Sequence, residues 1–254
     1  MRLTVLGSGT AVPLRDRSSP SLVVWLQNGP VVLDLGPGTL RQMTRVGIRH
    51  ETLRHIFLTH FHPDHTGDLV HFLFATRNPD VLRHRATVVI AGAIGLNAFI
   101  GRLQNAWGDW LTLPPELMKV HEFALTEKLE TEYGDFTVVT SPVVHTPHSL
   151  AYRLTDREGR SVVFSGDTGY CQALVDLSTG ADLLVLEASF PEGQAVEGHL
   201  TPAEAGRVAA EAGVQRLVLT HFYPEVLATD IEAQCRRSYG GELIPARDLM
   251  DIEV

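Results

Sequence analysis

The feature that most constrains this chain is a dense cluster of metal-binding residue types in residues 59–65, Thr-His-Phe-His-Pro-Asp-His. The histidines and the aspartate follow directly on an apolar run, residues 55–59, that is typical of a buried strand. In a loop after a strand, His60 and His62 can point to one place, and Asp64 and His65 can turn toward a second. Neutral imidazole and carboxylate are ligands that suit zinc and its neighbours. The cluster therefore predicts a metal site rather than a solvated polar turn.

Further candidate ligands follow other predicted strands at distant places in the sequence: His145, Asp167 and His221. The carboxyl ends of strands in an open sheet meet at a common crevice, so we expect these side chains to converge. Together with residues 60–65 they supply five histidines and two aspartates. That set is enough for two metal ions at three or four protein ligands each, with an open position for water.

Hydrophobic patterns predict strands first and helices mostly after them in each half of the chain. The predicted strands are residues 3–7, 21–26, 31–34, 55–59, 87–91, 136–141, 151–154, 161–165, 181–187 and 216–220. The predicted helices are residues 39–46, 64–76, 94–118 with an interruption near Gly108 and a stop at Pro114-Pro115, 171–178 and 201–212. This order predicts an α/β (α+β) fold in four layers, an αββα sandwich. We expect a single domain, 1–254, with pseudo-repeat halves at about 1–125 and 126–254.

Composition limits the class of protein further. The formal net charge of −9 argues against a broad basic surface for nucleic acid. Cys171 and Cys235 are the only cysteines, which implies no disulfide framework. Apolar runs such as residues 183–186 are far too short to span a bilayer, and residues 1–6 are typical of a strand rather than a signal peptide. We therefore expect a cytoplasmic protein without a membrane partner.

The order of these motifs resembles that of the metallo-β-lactamase superfamily. His-x-His-x-Asp-His at 60–65 is followed by His145, by Ser-Gly-Asp-Thr at 165–168 and by Thr-His-Phe at 220–222. More narrowly, the chain is similar to the ribonuclease Z-like branch, because residues 33–39 resemble its Asp-x-Gly-x-Gly-Thr motif. The resemblance runs from about residue 1 to about residue 225 and implies the metallo-β-lactamase fold and a metal-dependent hydrolase.

The resemblance also implies which residues hold two divalent cations. One is held by His60, His62 and His145, the second by Asp64, His65 and His221, and Asp167 bridges them. Zinc is the expected metal, with manganese or iron as alternatives. Two cations roughly 3.5–4 Å apart can hold a hydroxide that attacks a phosphodiester, and Asp64 is also expected to steer the water proton. Asp34 is expected to accept the free N–H of a ligating imidazole.

Three more residues are expected near the metals. Glu187 and His199 match an acid and a histidine of the branch, and the histidine is implied to protonate the leaving oxygen or to bind substrate phosphate. A capping acid and a structural loop histidine are the alternatives. His148 competes with His145 for the ligand position, but the family spacing to residues 151–154 favours His145. His148 is therefore expected to face the substrate.

Two features of true ribonuclease Z proteins are not recognisable in the sequence. The interval from His145 to Asp167 is short and predicted to contain strands, and no Gly/Pro-rich arm that grips tRNA appears. The basic, asparagine-containing loop that reads the tRNA 3′ end is not recognisable near residues 77–85. We therefore expect a smaller phosphodiester as substrate, cyclic or a short oligonucleotide, rather than precursor tRNA.

Other functions of the same fold compete with this prediction. A lactonase or thioesterase is the main alternative, because the same two metals polarise a carbonyl. An iron-dependent oxidoreductase of this fold usually adds a redox domain, for which 254 residues leave no space. A binding protein with a degenerate site would lack ligands, whereas all of the expected ligands are present. The branch also suggests a homodimer.

Overall fold

The computed structural model describes residues 1–125 and 130–254, and the strands within them pair into two sheets. In chain order the strands are β1 Arg2–Gly7, β2 Ser21–Leu26, β3 Gly29–Leu33, β4 His55–Phe57, β5 Val88–Ala93, β6 Met118–Phe123, β7 Glu130–Glu132, β8 Phe136–Pro142, β9 Leu150–Asp156, β10 Ser161–Phe164, β11 Leu183–Glu187, β12 Arg216–Thr220, β13 Glu242–Pro245 and β14 Asp251–Glu253. The helices are α1 Thr39–Arg45, α2 Pro63–Thr76, α3 Pro79–His84, α4 Leu96–Trp107, α5 Gln172–Ser178, α6 Pro202–Glu211, α7 Pro224–Leu227 and α8 Ile231–Arg236. Short 3-10 turns lie at His50–Thr52 and Gly108–Leu111.

Each sheet combines an antiparallel part with a parallel part. The first sheet has the order β14-β1-β2-β3-β4-β5-β6, antiparallel from β14 to β3 and parallel from β3 to β6. The second has the order β13-β12-β11-β10-β9-β8-β7, parallel from β13 to β10 and antiparallel from β10 to β7. Neighbouring parallel strands end at the same edge, so the loops that follow them lie side by side.

The two-residue period of the strands divides the apolar side chains among three layers. In β11, Leu183 and Val185 point into the space between the sheets, whereas Leu184 and Leu186 point to the outer face. The outer face of the first sheet is covered by α1, α2 and α4, and that of the second by α5, α6 and α8. The predicted four-layer αββα sandwich is confirmed.

The helix predicted over residues 94–118, interrupted near Gly108 and stopped by Pro114-Pro115, is wrong beyond the interruption, where a short 3-10 turn and then a strand follow. α4 ends at Trp107, and β6 begins at Met118 as the last strand of the first sheet. Met118 and Val120 pack with the outer cluster, while Phe123 packs between the sheets. This alternation is the period of a strand, and pairing with β5 fixes it.

The last strand, β14, returns to the first sheet and pairs with β1, with Arg2 opposite Glu253. A division of the chain near residue 125 therefore follows the two sheets for every described strand except β14. The single domain with pseudo-repeat halves stays a prediction. None of the helices in residues 1–125 and 130–254 is long and apolar enough to cross a membrane.

Candidate metal centre

The predicted metal ligands lie where strands of both sheets end. His60 comes three residues after β4, and Asp167 comes three residues after β10. His145 comes three residues after β8, and His221 follows β12 directly. Because β8, β10 and β12 run in the same direction, their ends share one edge of the second sheet. The structure brings these side chains together with those of the first sheet.

The loop between β4 and α2 carries the histidine cluster. His62 is the N-cap residue of α2, in extended conformation, and Pro63 begins the helix. Proline at the first helical position fixes a φ that suits the helix and needs no N–H partner. The backbone N–H of His65 then donates to the carbonyl of His62 at 3.1 Å. Helix initiation thus fixes where Asp64 and His65 stand relative to His60 and His62.

Asp167 is buried between two groups of side chains, and each carboxylate oxygen faces one group. Its Oδ1 lies 3.1 Å from His65 Nε2 and 3.3 Å from His221 Nε2. Its Oδ2 lies 3.8 Å from His60 Nε2 and 3.7 Å from His145 Nε2. Each group offers ligand atoms within 4.8 Å of one another: His60, His62, His145 and Asp167 in one, and Asp64, His65, Asp167 and His221 in the other.

Several buried polar atoms at this centre have no hydrogen-bond partner within the described part of the chain. They are the Nε2 atoms of His60, His65 and His221 and the Oδ1 atom of Asp167. A buried polar atom without a partner costs about 1–3 kcal/mol, so such atoms are rare in native proteins. Cations would satisfy these atoms, and imidazole with carboxylate is a donor set for zinc and its neighbours. The residues therefore fit two metal ions.

Two of these imidazoles, those of His60 and His65, are held at their Nδ1 atoms by Thr59 and Asp34. The Asp34 carboxylate lies 2.7 Å from His65 Nδ1. It also accepts from the backbone N–H of Thr59 at 2.7 Å and from the Thr59 hydroxyl at 2.8 Å. The same hydroxyl lies 3.0 Å from His60 Nδ1. These contacts direct the Nε2 atoms of His60 and His65 toward Asp167. Metal-binding histidines are commonly oriented by such a partner at the nitrogen that does not bind the metal.

Two other imidazoles are held in the same way from the second sheet. The Ser189 hydroxyl lies 2.8 Å from His221 Nδ1, and the Gly198 carbonyl oxygen lies 3.0 Å from His145 Nδ1. The sequence analysis does not predict a role for Thr59 or Ser189 in orienting these histidines. The available signal was their position, since one precedes His60 directly and the other follows the strand β11 that pairs with β12.

The buried Glu187 and the partly buried His199 form an acid–imidazole pair beside the centre. His199 Nδ1 lies 3.1 Å from both carboxylate oxygens of Glu187, which also accept from the Thr168 backbone N–H and the Ser189 hydroxyl. The His199 ring stands 4.8 Å from the ring of His145. Burial raises the pKa of Glu187. Burial opposes a charge on His199, but the hydrogen bond and the charge of Glu187 raise the pKa of His199.

Burial and neighbouring charges shift the pKa values of three groups at the centre. Burial, together with the neighbouring His65, holds the pKa of His60 well below its ordinary value, which favours the neutral ring that a cation needs. Burial works against ionisation of Asp167, yet His221 and His65 hold the pKa of Asp167 well below its ordinary value. Burial also opposes a charge on His65, but Asp167 and Asp34 raise the pKa of His65 well above its ordinary value. Cations binding here would displace that proton.

Backbone strain is stored at two positions of the centre. Asp34 has φ 64° and His221 has φ 58°, and Leu249 is the other non-glycine residue with positive φ among the described residues. Such a conformation costs on the order of 1–3 kcal/mol and persists where surrounding structure fixes it. Here the hydrogen bonds of Asp34 to Thr59 and of His221 to Ser189 fix it.

His148 lies outside both ligand groups and is exposed. Its ring stacks on Phe61 with centroids 5.6 Å apart, and Phe61 stacks in turn on Phe99 at 5.0 Å. Phe61 separates His60 from His62 in the chain, so this stack lies beside the ligand loop. The geometry leaves His145 as the residue that faces Asp167.

The fold and the centre together define a class, the hydrolases of the metallo-β-lactamase fold. A family profile described as "Beta-lactamase superfamily domain" matches residues 30–222. The chain belongs to the metallo-β-lactamase superfamily and, with its ribonuclease Z-like motifs and a ribonuclease Z relative at 30% identity, to the ribonuclease Z-like branch. The resemblance predicted from the motifs is confirmed.

Among similar sequences, an uncharacterized protein of Mycobacterium tuberculosis is 32% identical over 244 residues, covering 95% of this chain and 88% of that protein. A protein named ribonuclease Z from Streptomyces avermitilis is 30% identical over 301 aligned residues, covering 99% of this chain and 97% of that protein.

Among solved structures, the metallo-β-lactamase fold protein YhfI from Bacillus subtilis has a TM-score of 0.84 and 25% identity, covering 99% of both chains. The short form of human tRNase Z has a TM-score of 0.80 and 26% identity, covering 100% of this chain and 99% of that chain.

Proposed function

We propose that this protein is a phosphodiesterase that hydrolyses a small or short nucleotide phosphodiester. It uses two divalent metal ions, and zinc is the proposed metal. In this proposal His60, His62 and His145 hold one ion, Asp64, His65 and His221 hold the other, and Asp167 is shared. The observation that carries the proposal is the position of Asp167, whose two oxygens face two separate groups of imidazoles.

The metals, when bound, supply an activated water and neutralise charge on a phosphoryl oxygen. The chain's own residues prepare the centre for this. Asp34 and Thr59 orient two imidazoles, and Ser189 orients a third. Asp64 Oδ2 lies 3.5 Å from His221 Nε2 and 3.7 Å from His65 Nε2, in the ligand group that does not contain His60. In this position Asp64 also accepts a proton from the attacking water.

His199 is the proposed proton donor to the leaving oxygen. Glu187 holds Nδ1 of the His199 ring and favours the charged ring, so the opposite nitrogen, Nε2, can carry a proton toward the substrate. A nucleoside leaving group needs this proton, because an alkoxide is a poor leaving group at neutral pH.

The size of the substrate is inferred from what lies between the ligands. Residues between His145 and Asp167 form β9 and β10, which belong to the second sheet. The alignment with the Streptomyces ribonuclease Z spans 301 residues, more than the 254 of this chain, so that relative carries segments that this chain lacks. These observations support a substrate smaller than precursor tRNA.

Aromatic side chains beside the centre support a substrate that carries a base. Phe190 and Tyr223 stack with centroids 4.7 Å apart, and the His199 ring stands 5.5 Å from Phe190. On the other side of the ligand loop, His148 offers an exposed ring over Phe61. Aromatic faces stack on nucleobases with little regard to sequence. We therefore assign His148 a substrate-binding role.

The test compares substrates on the zinc-reconstituted protein and on Asp64→Ala. The substrates are bis-p-nitrophenyl phosphate, a cyclic nucleotide, a dinucleotide, a panel of lactones and thioesters, and a precursor tRNA. Asp176→Ala is the matched control, since Asp176 is an exposed carboxylate on α5. We expect turnover of the small phosphodiesters by wild type and by the control, and a loss of at least about 100-fold in Asp64→Ala.

Turnover of lactones or thioesters without turnover of any phosphodiester would overturn the phosphodiesterase proposal in favour of the carbonyl-ester alternative. Faster turnover of precursor tRNA than of the small substrates would overturn the proposed substrate size. An Asp64→Ala protein as active as wild type would contradict the proposed role of the centre.

We also propose a cytoplasmic location, a single domain and a homodimer for this protein. Cell fractionation tests the first, limited proteolysis the second and analytical ultracentrifugation of the purified chain the third. A monomer at micromolar concentration would overturn the proposed dimer.

A further inference from the structure

A charged cavity outside the metal centre is formed by the loop after β1, by α1 with the residue before it, and by residues 248–249. Its volume is about 500 Å³, and its lining includes four arginines: Arg15, Arg17, Arg41 and Arg45. The chain as a whole has a formal net charge of −9, so a concentration of positive charge at one cavity runs against the overall balance. We call it the arginine cavity.

The four arginines of the cavity do not spend their charge on ion pairs with carboxylates of the described residues. Within residues 1–125 and 130–254, none of the four forms an ion pair. Arg17 donates to the Ser8 hydroxyl at 2.6 Å and to the Ala246 carbonyl at 2.8 Å, and Arg45 donates to Gln42 at 3.0 Å. Arg17 and Arg45 thus donate to neutral groups, although the Asp248 and Asp16 carboxylates still act on the charge of Arg17. The lining holds four arginines against two aspartates, so positive charge is in excess.

The partly buried Asp248 lines the cavity, and its carboxylate accepts hydrogen bonds from neutral donors. Asp248 accepts from the backbone N–H and the hydroxyl of Ser8, at 2.9 and 2.8 Å. Its other oxygen accepts from the Ser18 backbone N–H at 2.7 Å and from the Gln42 amide at 2.9 Å. These four hydrogen bonds saturate Asp248 and hold the two walls of the cavity together. Asp16 is the other acidic residue of the lining, and it is exposed.

The walls of the cavity are extensions of the metal centre. Gly38, which lines the cavity, lies in the same loop as Asp34. The Arg17 guanidinium stacks 4.9 Å over the ring of Phe222, the residue after His221. The backbone N–H of Phe222 donates to the Ser8 carbonyl at 3.1 Å. One layer of residues therefore separates the arginine cavity from residues that orient or form the metal ligands.

We propose that the arginine cavity binds a phosphate group. Guanidinium groups present paired N–H donors that match the oxygens of a phosphate, and Arg is the residue that favours such contacts. Arg41 and Arg45 are four residues apart on α1 and face the same side, so both can reach one ligand. The phosphate is either a second phosphate of the substrate, beyond the scissile bond, or a separate phosphate that acts on the centre through the shared loops. The first source rests on the proposed function, whereas binding itself does not.

Binding is tested by calorimetric titration of the zinc-reconstituted protein with pyrophosphate. The variant is the exposed pair Arg41→Ala/Arg45→Ala, and the matched control is Arg54→Ala/Arg102→Ala, which removes two other exposed arginines. We expect two binding events in wild type, one at the metal centre that both double variants keep, and one that the first variant weakens at least about 10-fold and the control retains. Equal pyrophosphate affinity in both double variants and wild type would overturn the proposal. Circular dichroism checks that both variants fold.

The source of the phosphate is tested with a dinucleotide that carries or lacks a 5′-phosphate. If the phosphate belongs to the substrate, wild type prefers the phosphorylated dinucleotide in kcat/KM, and Arg41→Ala/Arg45→Ala lowers that preference about 10-fold. If it is separate, inorganic phosphate changes the turnover of bis-p-nitrophenyl phosphate by wild type in a way that the variant loses. If wild type hydrolyses no phosphodiester but Arg41→Ala/Arg45→Ala still weakens pyrophosphate binding, the binding site in the arginine cavity is supported. That result overturns only the proposed function.

Discussion

At the scale of single residues, the centre works through contacts on both sides of each imidazole. Asp34, Thr59, Ser189 and the Gly198 carbonyl hold the Nδ1 atoms, and the Nε2 atoms converge around Asp167. A ring held at one nitrogen loses little further freedom when the other nitrogen binds a cation. The hydrogen bonds are therefore expected to contribute to metal affinity although none of them touches the metal.

The change Asp34→Asn tests this contribution. The amide keeps the size of the carboxylate but removes the charge that holds His65 Nδ1 at 2.7 Å. We expect metal affinity to fall about 10–100-fold, measured by competition with a chromophoric chelator. Asp176→Asn, an exposed carboxylate on α5, is the control. An Asp34→Asn protein that holds zinc as tightly as wild type would show that Asp34 does not support the centre.

The change His199→Ala tests proton donation. Nitrophenolate leaves without a proton at neutral pH, whereas a nucleoside alkoxide requires one. We therefore expect kcat for a dinucleotide to fall at least about 100-fold and kcat for bis-p-nitrophenyl phosphate to fall far less. His84→Ala, which changes an exposed histidine of α3, serves as the control. Equal losses on both substrates would assign His199 to substrate binding instead of acid catalysis.

The sequence could predict the residues of the centre that belong to a recognisable motif and not those that reach it through space. His60, His62, Asp64 and His65 stand together in the chain, so their chemistry is visible without a structure. Ser189 is different, because serines are common and its contact with His221 exists only once β11 and β12 pair in parallel. Hydroxyl groups that act in this way carry no local signal.

At the scale of elements, the start of α6 positions the loop that carries His199. The Thr201 hydroxyl accepts from the Glu204 backbone N–H at 3.2 Å, and the Glu204 carboxylate accepts from the Thr201 backbone N–H at 2.8 Å. This capping box satisfies donors that a helix start leaves open. The residue before it, Leu200, is buried and accepts from the Ser189 backbone N–H at 2.9 Å. The cap thus links helix α6 to the His199 loop.

The change Thr201→Ala removes this cap. We expect the free energy of unfolding to fall by about 1 kcal/mol, measured by urea denaturation, because one helix donor loses its partner. Thr201→Ser retains the hydroxyl and should keep most of the stability. The account of the cap is contradicted if the alanine variant is as stable as the serine variant.

Among elements, the central strands were predictable and the short edge strands were not. β2 and β12 match the predicted residues, because long apolar runs with turn residues at their ends mark buried strands. β7 and β14 have three residues each, too few to show a period. β14 becomes a strand because β1 offers an open edge, which is a property of the assembled sheet.

At the scale of the whole molecule, the space between the sheets contains a histidine, His55, that makes the folded protein less stable at acidic pH. His55 begins β4 and packs edge-to-face against Tyr133 and Phe136, at 5.4 and 5.3 Å. Burial lowers the pKa of His55 below its ordinary value of 6.5, although the Asp135 carboxylate works against the shift. In the unfolded chain His55 takes up a proton at a higher pH than in the folded protein. Its contribution to stability is therefore present above pH 6.5 and is lost as the pH falls through the folded pKa.

The change His55→Phe removes this titration and keeps an aromatic ring between the sheets. We expect the variant to lose less stability than wild type when the pH is lowered from 8 to 5, measured as the free energy of unfolding in urea at each pH. Parallel pH profiles for the two proteins would show that His55 does not contribute to acid sensitivity.

The central claim about the whole molecule is that the ends of strands from both sheets build one centre for two metal ions around Asp167. Metal content by mass spectrometry after zinc reconstitution and dialysis tests it most directly, with wild type and Asp167→Ala compared side by side. The account predicts about two ions per wild-type chain and a loss of tightly bound metal in Asp167→Ala, since both groups lose the ligand that they share. One ion or none in wild type, or two ions retained in Asp167→Ala, would contradict it.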